Sequence, residues 1–218
     1  MPLQSALTAF LMAMLVPALS ALAAEEAAPV ETVMLRQADW LTQAARLERL
    51  GDWHGLLDWG RRWTQVWPAD ATAWFVLGRA YSKLHRYPEA ADAYRAALRI
   101  QPGYIHALIN LGNVYRESRM LREALSAYRD AARIDPGYVQ AWHNLGLTFI
   151  ALKGIAGVTR ALQELHAKDP LLAEAWRKLA IEYSLSRDQN VARKAIDVLR
   201  DVDAGQRERM FEILFASF

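Results

Sequence analysis

The histidines are the side chains of this sequence best suited to acid–base or metal chemistry, because an imidazole titrates near neutral pH and binds transition metals. They are His54, His85, His106, His143 and His166. No two of them are four residues apart, so the sequence lacks the H-E-x-x-H spacing that places two zinc ligands on one helix face. The spacing favours ordinary surface or groove histidines over a catalytic metal site.

Other patterns that carry chemistry are missing as well. The chain has no cysteine, which excludes thiolate metal sites and cysteine nucleophiles. It contains neither a G-x-x-x-x-G-K phosphate loop nor a G-x-S-x-G nucleophile elbow, and its carboxylates are dispersed without an evident acid–base pair. We therefore expect no enzyme activity, no catalytic residue, no cofactor, no metal and no small-molecule substrate.

The charge balance argues against a nucleic-acid partner. The 218 residues include 26 basic and 24 acidic side chains, for a formal net charge of +2. A protein held by many phosphate contacts normally has a clear basic excess. The apolar share of 53% is typical of a folded chain and argues against a mostly disordered one.

The N-terminal residues predict export. Residues 1–24 carry no charged side chain and are followed at once by Glu25 and Glu26. Ala21 and Ala23 form an A-x-A cleavage site, so we predict a signal peptide at 1–23, a linker at 24–36 and a periplasmic or secreted product. The usual Lys or Arg before the apolar stretch is absent. The alternative is an uncleaved membrane anchor that leaves the protein facing the periplasm.

The elements that could position any site repeat with a fixed period of about 34 residues. Large apolar residues recur at Trp74, Leu108, Trp142 and Trp176. Three places further on are Leu77, Leu111, Leu145 and Leu179, and small residues follow at Gly78, Gly112, Gly146 and Ala180. Prolines recur at Pro102, Pro136 and Pro170. A constant period of this length indicates a stack of similar units.

Each unit shows two helical patterns. In the second unit Trp74, Leu77, Gly78 and Tyr81 fall at i, i+3, i+4 and i+7, which predicts one apolar stripe with a notch at the glycine. Pro88 begins the second pattern, where proline is tolerated in a first turn. We predict five units, at residues 37–70, 71–104, 105–138, 139–172 and 173–206.

This pattern of a large residue, Leu-Gly, an aromatic ring, alternating small and aromatic residues, and a closing proline resembles the tetratricopeptide repeat family. The resemblance covers residues 37–206 and is most complete in the second and third units. It implies an all-α fold, a right-handed α-solenoid of five helix-turn-helix repeats. The fourth unit departs from the pattern with Val158, Leu162 and Leu165, and the fifth lacks the closing proline.

The last segment, 207–218, is predicted to be a C-terminal capping helix, because an end unit of a stack needs an apolar inner face and a polar outer face. Phe211, Leu214, Phe215 and Phe218 lie at i, i+3, i+4 and i+7. The alternative is an amphipathic helix that binds a partner.

The resemblance also implies a concave groove lined by the first helices of the repeats. Carried onto this chain residue by residue, it gives eleven polar groove positions: Arg79, Lys83, His106, Asn110, Asn113, Arg116, Gln140, His143, Asn144, Arg177 and Lys178. Some family members clamp a C-terminal carboxylate there, and Asn113, Asn144 and Lys178 stand at comparable places; the alternative is that the asparagines bond locally. His106 and His143, in adjacent units, allow a metal site as a further alternative.

These observations together predict a non-catalytic adaptor or scaffold of the cell envelope that binds protein or peptide partners. A permanent structural subunit of an envelope or secretion assembly and an accessory subunit of an envelope enzyme are the alternatives. Nucleic acid is excluded as a partner, and contact with a membrane is expected only through an uncleaved N-terminus.

Overall fold

The computed structural model describes residues 30–186 and 188–215, and the chain divides into two compact units, 1–51 and 52–218. In the first unit, helix α1 (Val30–Leu50) contains neither proline nor glycine, so nothing interrupts it. Its start corrects the predicted linker, because residues 30–36 are helical. The predicted signal peptide lies outside the described residues.

The second unit is built from helices alone among the residues described. They are α2 (Trp53–Val66), α3 (Ala71–Lys83), α4 (Tyr87–Ile100), α5 (Ile105–Glu117), α6 (Leu121–Ile134), α7 (Val139–Lys168), α8 (Pro170–Arg177), α9 (Tyr183–Ser186), α10 (Gln189–Asp201) and α11 (Ala204–Phe215). A π-helical segment, Lys178–Glu182, joins α8 to α9. The predicted all-α class is confirmed.

The repeat period appears in the backbone conformation. Gly51, His85 and Arg119 follow one another at that period and have φ values of 68°, 57° and 62°. A left-handed residue just past a helix end lets the next N–H groups reach back to free carbonyls. The N–H of Arg86 accordingly donates to the Tyr81 carbonyl at 2.9 Å, and that of Met120 to the Tyr115 carbonyl at 2.8 Å. The turn inside each of these repeats is thus set by one recurring backbone geometry.

Aspartate fixes the start of α3 and ties it to α2. The Asp70 carboxylate accepts a hydrogen bond from the Thr72 backbone N–H at 2.8 Å, which satisfies one of the free donors of the first turn. Its second oxygen accepts from Nε1 of the buried Trp63 at 3.0 Å. One side chain therefore caps a helix and pairs a buried indole.

Glycine notches hold the two helices of each regular repeat together. A Cβ added at Gly78 would lie 2.7 Å from ring carbons of Tyr94, and one added at Gly112 would lie 2.5 Å from Cε1 of Tyr128. Both tyrosines are buried. The predicted notch is therefore filled by a ring from the second helix of the same repeat.

The fourth repeat breaks this rule. Residue 162 occupies the register of Tyr94 and Tyr128 but is a leucine, and it is only half-buried. The notch at Gly146 is filled instead by Ala180 of the fifth repeat, whose Cα would lie 2.6 Å from an added Cβ. Gly154, at φ 67° and ψ 174°, bends α7 so that its arms Val139–Gly154 and Ala156–Lys168 differ in direction by 118°. The expected regular helix pair at 139–172 is thus corrected.

The C-terminal helix packs on the third and fourth repeats. It begins at Ala204, slightly before the predicted residue 207, and buries Met210, Phe211 and Leu214. The Phe211 ring stacks on Trp142 at 5.4 Å and 12° between planes, and Glu208 pairs with Arg133 of α6. This is the packing that a capping helix requires. Phe218, included in the predicted apolar face, lies outside the described residues.

Across 30–186 and 188–215, no helix taken singly has the length and apolarity needed to span a membrane; only the two arms of the bent α7 together meet that test.

Candidate functional site

A polar cavity lies between α5, α7, α9 and the start of α10. Its volume is about 460 Å³, and side chains from the third, fourth and fifth repeats line it: Arg116, Val139, Gln140, His143, Asn144, Leu147, Tyr183 and Gln189. We call these residues the polar pocket. Four of the eleven predicted groove residues (Arg116, Gln140, His143 and Asn144) meet there.

Buried polar side chains fix the floor of the pocket. His143 and Asn144 are each 6% exposed, although both are polar. The His143 ring meets the Tyr183 ring edge to face at 5.3 Å. Burying such groups is costly unless they are hydrogen-bonded, and the Asn144 amide donates to Asn113 Oδ1 at 3.4 Å.

An asparagine pair links the third repeat to the fourth. Asn113 Oδ1 also accepts from the Tyr128 hydroxyl at 2.6 Å, so it receives donors from two helices. Burial raises the pKa of Tyr128, which keeps its hydroxyl protonated and able to donate. The side chain of Asn110 bonds locally to the His106 carbonyl at 2.9 Å. Asn110 thus bonds locally, whereas Asn113 bonds to side chains of two other helices.

The pocket is rich in donors and lacks negative charge. None of its eight lining residues is a carboxylate. Within the part of the chain that the structure describes, no acidic side chain lies at ion-pair distance from Arg116. A guanidinium without an internal partner there, beside a histidine and amide groups, can bind an anionic group through charge-assisted hydrogen bonds.

The two predicted groove residues of the fifth repeat, Arg177 and Lys178, lie elsewhere. Arg177 is paired with Glu174 at 2.8 Å and with Glu182 at 3.3 Å, and Lys178 reaches Glu174 at 3.5 Å. Arg177 lines a second crevice of about 480 Å³, between α8 and the second arm of α7. The hydrogen bonds from Arg177 hold the pKa of Glu174 at about 2, so Glu174 is ionised at neutral pH. Both of its carboxylate oxygens are paired with Arg177, and one of them also with Lys178. Lys178 does not line the polar pocket.

The remaining predicted residues lie among aromatic rings of the earlier repeats. Arg79 lies over the Phe75 ring at 5.9 Å, and the exposed Lys83 lies over Trp53 at 5.4 Å. Cations in such positions gain a modest electrostatic attraction from the ring face. Both side chains are thus oriented by contacts within the protein.

The histidine-based metal alternative gains no support. His106 hydrogen-bonds the Tyr138 hydroxyl through Nδ1 at 3.2 Å, whereas His143 packs against Tyr183. In 30–186 and 188–215 no group of three or more His, Asp or Glu side chains is arranged to hold a metal ion.

Two pocket residues could not be expected from the resemblance. Tyr183 stands at a ring position that packs inside a regular repeat, and Gln189 belongs to a second helix. Their place in the pocket follows from the π-helical segment, in which the Tyr183 N–H bonds to the Lys178 carbonyl and shifts the residues after it around the helix. The sequence carries no direct signal for that shift.

Comparison with known proteins agrees with the repeat register. Tetratricopeptide repeat models match residues 71–104 and 105–138. No curated protein matches the chain in sequence. The fold is similar to that of a thermophilic TPR protein from Thermus thermophilus, with TM-score 0.50 and 23% identity over 81% of this chain and 98% of that one.

Two further solved structures share the fold. MamA from Desulfovibrio magneticus RS-1 has TM-score 0.52 and 19% identity over 78% of this chain and 93% of that one. YrrB, described as a TPR protein with an unusual peptide-binding site, has TM-score 0.50 and 19% identity over 83% and 98%. Residues 71–138 thus match two tetratricopeptide repeats, and the chain shares the fold of TPR proteins, whose repeats form scaffolds for protein–protein interaction.

Proposed function

We propose that the protein is a non-catalytic adaptor of the cell envelope that holds a segment of a partner protein at the polar pocket. One observation carries the proposal: side chains from three successive repeats converge on a 460 Å³ cavity whose lining carries a single formal charge, the Arg116 guanidinium. Repeats of this family bind protein or peptide partners, and the related fold of YrrB contains a peptide-binding site.

The hydrogen-bond donors of the polar pocket favour an acidic group on the partner. A carboxylate, from an Asp or Glu side chain or a C-terminus, would accept from Arg116 and from the Gln140 and Asn144 amides. Because His143 and Asn144 are held in place by packing, the donors need little reorganisation on binding, which lowers the entropic cost. Val139 and Leu147 supply apolar contact at the edge.

The direct test reverses the charge of Arg116. With a crosslinked partner identified, Arg116→Glu should weaken its binding by at least about tenfold, because it replaces an attractive contact with a repulsive one at a site without other charge. Arg99→Glu is the matched control, since Arg99 is an exposed arginine on α4. Equal effects of the two changes would refute the pocket as the binding site.

The proposed envelope location rests on the uncharged residues 1–24 and the A-x-A site ending at Ala23. Intact mass measurement of protein purified from the periplasmic fraction should show a chain that begins at Ala24. A full-length chain in the membrane fraction would favour the anchor, and a full-length chain in the cytoplasm would overturn the proposed location.

A second candidate, a permanent structural subunit, is favoured by apolar side chains that the fourth and fifth repeats leave exposed. Leu171 and Leu185 are 70% and 84% exposed, and Leu162 and Ile181 line the crevice itself. Exposed apolar surface is typical of interfaces that remain covered. Size-exclusion chromatography separates the two: a soluble monomer supports the adaptor, and co-elution in one fixed complex supports the subunit.

A further inference from the structure

Tyr128 and Asn113 form a chain of hydrogen bonds that ends at the polar pocket. The Tyr128 hydroxyl donates to Asn113 Oδ1 at 2.6 Å, and the same oxygen accepts from the Asn144 amide at 3.4 Å. Tyr128 is fully buried, whereas Asn144, which is 6% exposed, lines the polar pocket. We call these three side chains the hydroxyl–amide relay. It connects a core residue of α6 to a hydrogen-bond donor of the pocket on α7.

The direction of each hydrogen bond in the relay is fixed. Burial raises the pKa of Tyr128, so its hydroxyl stays protonated and donates. Asn113 Oδ1 is the acceptor that the structure pairs with this hydroxyl. Turning the Asn113 amide around would leave the buried phenol proton without that acceptor, which is costly. Asn113 therefore presents its oxygen, and Asn144 must meet that oxygen with its amide nitrogen.

This orientation places a donor beside the charge of the pocket. Asn113 and Arg116 are three residues apart on α5 and so share one face of that helix. The nitrogen of Asn144 is thus turned towards the helix that carries the Arg116 guanidinium. An amide nitrogen has two N–H groups, and the bond to Asn113 uses one of them. The second N–H can serve an acceptor bound next to Arg116, whereas a reversed amide would place its oxygen there and repel a carboxylate.

The second and third repeats show what an asparagine in this register does without the relay. Asn110 lies one repeat period before Asn144. One period before Asn113 stands Arg79, whose guanidinium has no acceptor to offer. The Asn110 amide bonds instead to the His106 carbonyl, four residues earlier on its own helix, at 2.9 Å. The oxygen offered by the preceding repeat therefore decides which way the asparagine amide turns.

We propose that Tyr128, acting through Asn113, is a positioning residue that keeps the N–H groups of Asn144 available to the polar pocket, so that the pocket selects a carboxylate over a carboxamide. A carboxylate only accepts hydrogen bonds and needs those donors, whereas a carboxamide both donates and accepts and can pair with either orientation of Asn144. This inference rests on the proposed function and assigns part of its specificity to a core tyrosine outside the pocket lining.

NMR titration of the purified full chain with two tripeptides tests the inference. The peptides are triglutamate and triglutamine, both acetylated and C-terminally amidated, so they differ only in carboxylate against carboxamide. Tyr128→Phe should lower the preference for triglutamate at least about threefold, because one neutral hydrogen bond no longer holds the relay. Asn113→Leu removes the shared acceptor and should lower the preference at least as much. In both variants the side-chain amide protons of Asn144 should exchange with water faster than in the wild type.

Tyr94→Phe is the matched control. Tyr94 is buried and fills the notch at Gly78 as Tyr128 fills the notch at Gly112. The control removes the same hydroxyl in the same register, one repeat earlier, so it should change neither the preference nor the Asn144 exchange. If Tyr128→Phe weakened binding of both peptides by one factor and left the preference intact, its role would be merely structural and the inference would be overturned. Equal effects of Tyr94→Phe and Tyr128→Phe would overturn it too.

The relay and the proposed function fail separately. If Arg116→Glu left triglutamate binding unchanged, the pocket would not be the binding site, while faster Asn144 exchange in Tyr128→Phe would still support the relay. If Arg116→Glu abolished binding and Tyr128→Phe changed neither the preference nor the exchange, the relay would be refuted and the proposed function would stand.

Discussion

Replacing Gly112 with alanine tests the packing that defines each repeat. The added Cβ would lie 2.5 Å from Cε1 and 2.8 Å from Cδ1 of Tyr128, well inside contact distance. The ring cannot move away easily, because Tyr128 is fully buried and its hydroxyl donates to Asn113 at 2.6 Å. The substitution therefore forces either a displaced ring or a separation of α5 from α6.

The expected size of the effect follows from two opposing terms. Overpacking of a tight core costs about 1–3 kcal/mol, and the buried, hydrogen-bonded ring of Tyr128 places this site in the upper part of that range, at about 2–3 kcal/mol. Alanine gains about 1 kcal/mol over glycine in helix propensity. We expect a net loss of about 1–2 kcal/mol in the free energy of unfolding, which lowers the melting temperature by about 2–8 °C for a chain of this size.

Thermal unfolding followed by circular dichroism measures the change. Gly103→Ala is the control, because an added Cβ there would have no heavy atom within 4 Å. Gly103 lies outside the helices, so little propensity gain is expected. If Gly112→Ala were as stable as Gly103→Ala, or more stable than the wild type, the inferred contact between notch and ring would be wrong.

Three further changes test other parts of the structure. Gly146→Ala should destabilise the protein by about 1–3 kcal/mol. Adding Ala180→Gly should restore little of the loss, because the Cα of residue 180 would still lie 2.6 Å from the added Cβ. Chemical denaturation of the single and double variants measures this, and full recovery in the double variant would contradict the close backbone contact between the fourth and fifth repeats. Arg119→Gly should stabilise the protein by about 0.5–1 kcal/mol in the same assay, because the left-handed φ of 62° is strained for arginine, and a loss of stability would contradict this. The depressed pKa of Glu174 makes its ion pair with Arg177 stabilising above the ordinary carboxyl pKa of about 4.3, with the contribution lost as pH falls towards about 2. Because the pair is half-exposed, the wild type should be more stable than Glu174→Gln by less than about 1 kcal/mol in the free energy of unfolding. Urea titrations should show this difference disappear as the pH falls through that range, and a difference that grew with acidity would refute the assignment.

The regular repeats could be read from the sequence because their contacts are encoded at fixed spacing. Gly78 and Gly112 and their partner tyrosines recur at the repeat period, so period and residue type together specify both the helix pair and its contact. The boundaries of the second and third repeats, 71–104 and 105–138, match the family models residue for residue.

The geometry of the fourth repeat could not be predicted in the same way. Leu162 replaces the ring that would fill the notch at Gly146, and Gly154 permits a turn one residue later than His85 and Arg119 do in their repeats. Which helix then fills the notch depends on packing between residues far apart in sequence. Ala180 occupies the notch because its side chain is small enough for the two helices to approach closely. The sequence signalled an irregular repeat without specifying its consequence.

The candidate site contains residues that the repeat register predicted, and it lacks others that irregular packing moved away. Gln140, His143 and Asn144 follow the register of a first helix, and their convergence with Arg116 agrees with the predicted groove positions. Arg177 and Lys178 follow the same register but lie in a separate ion-pair network, because the fifth repeat packs against the fourth in a different way. Register alone therefore identifies the groove only where consecutive repeats pack regularly.

Site-specific photocrosslinking in the native cell tests the central claim most directly. A benzophenone side chain at Gln140, an exposed residue of the polar pocket, should capture a defined partner protein, and Arg116→Glu in the same chain should abolish the product. The same label at Ser126, exposed on the outer helix α6, should not capture it. Capture at Ser126 that equals capture at Gln140, or a product that survives Arg116→Glu, would show that partners do not bind at this pocket.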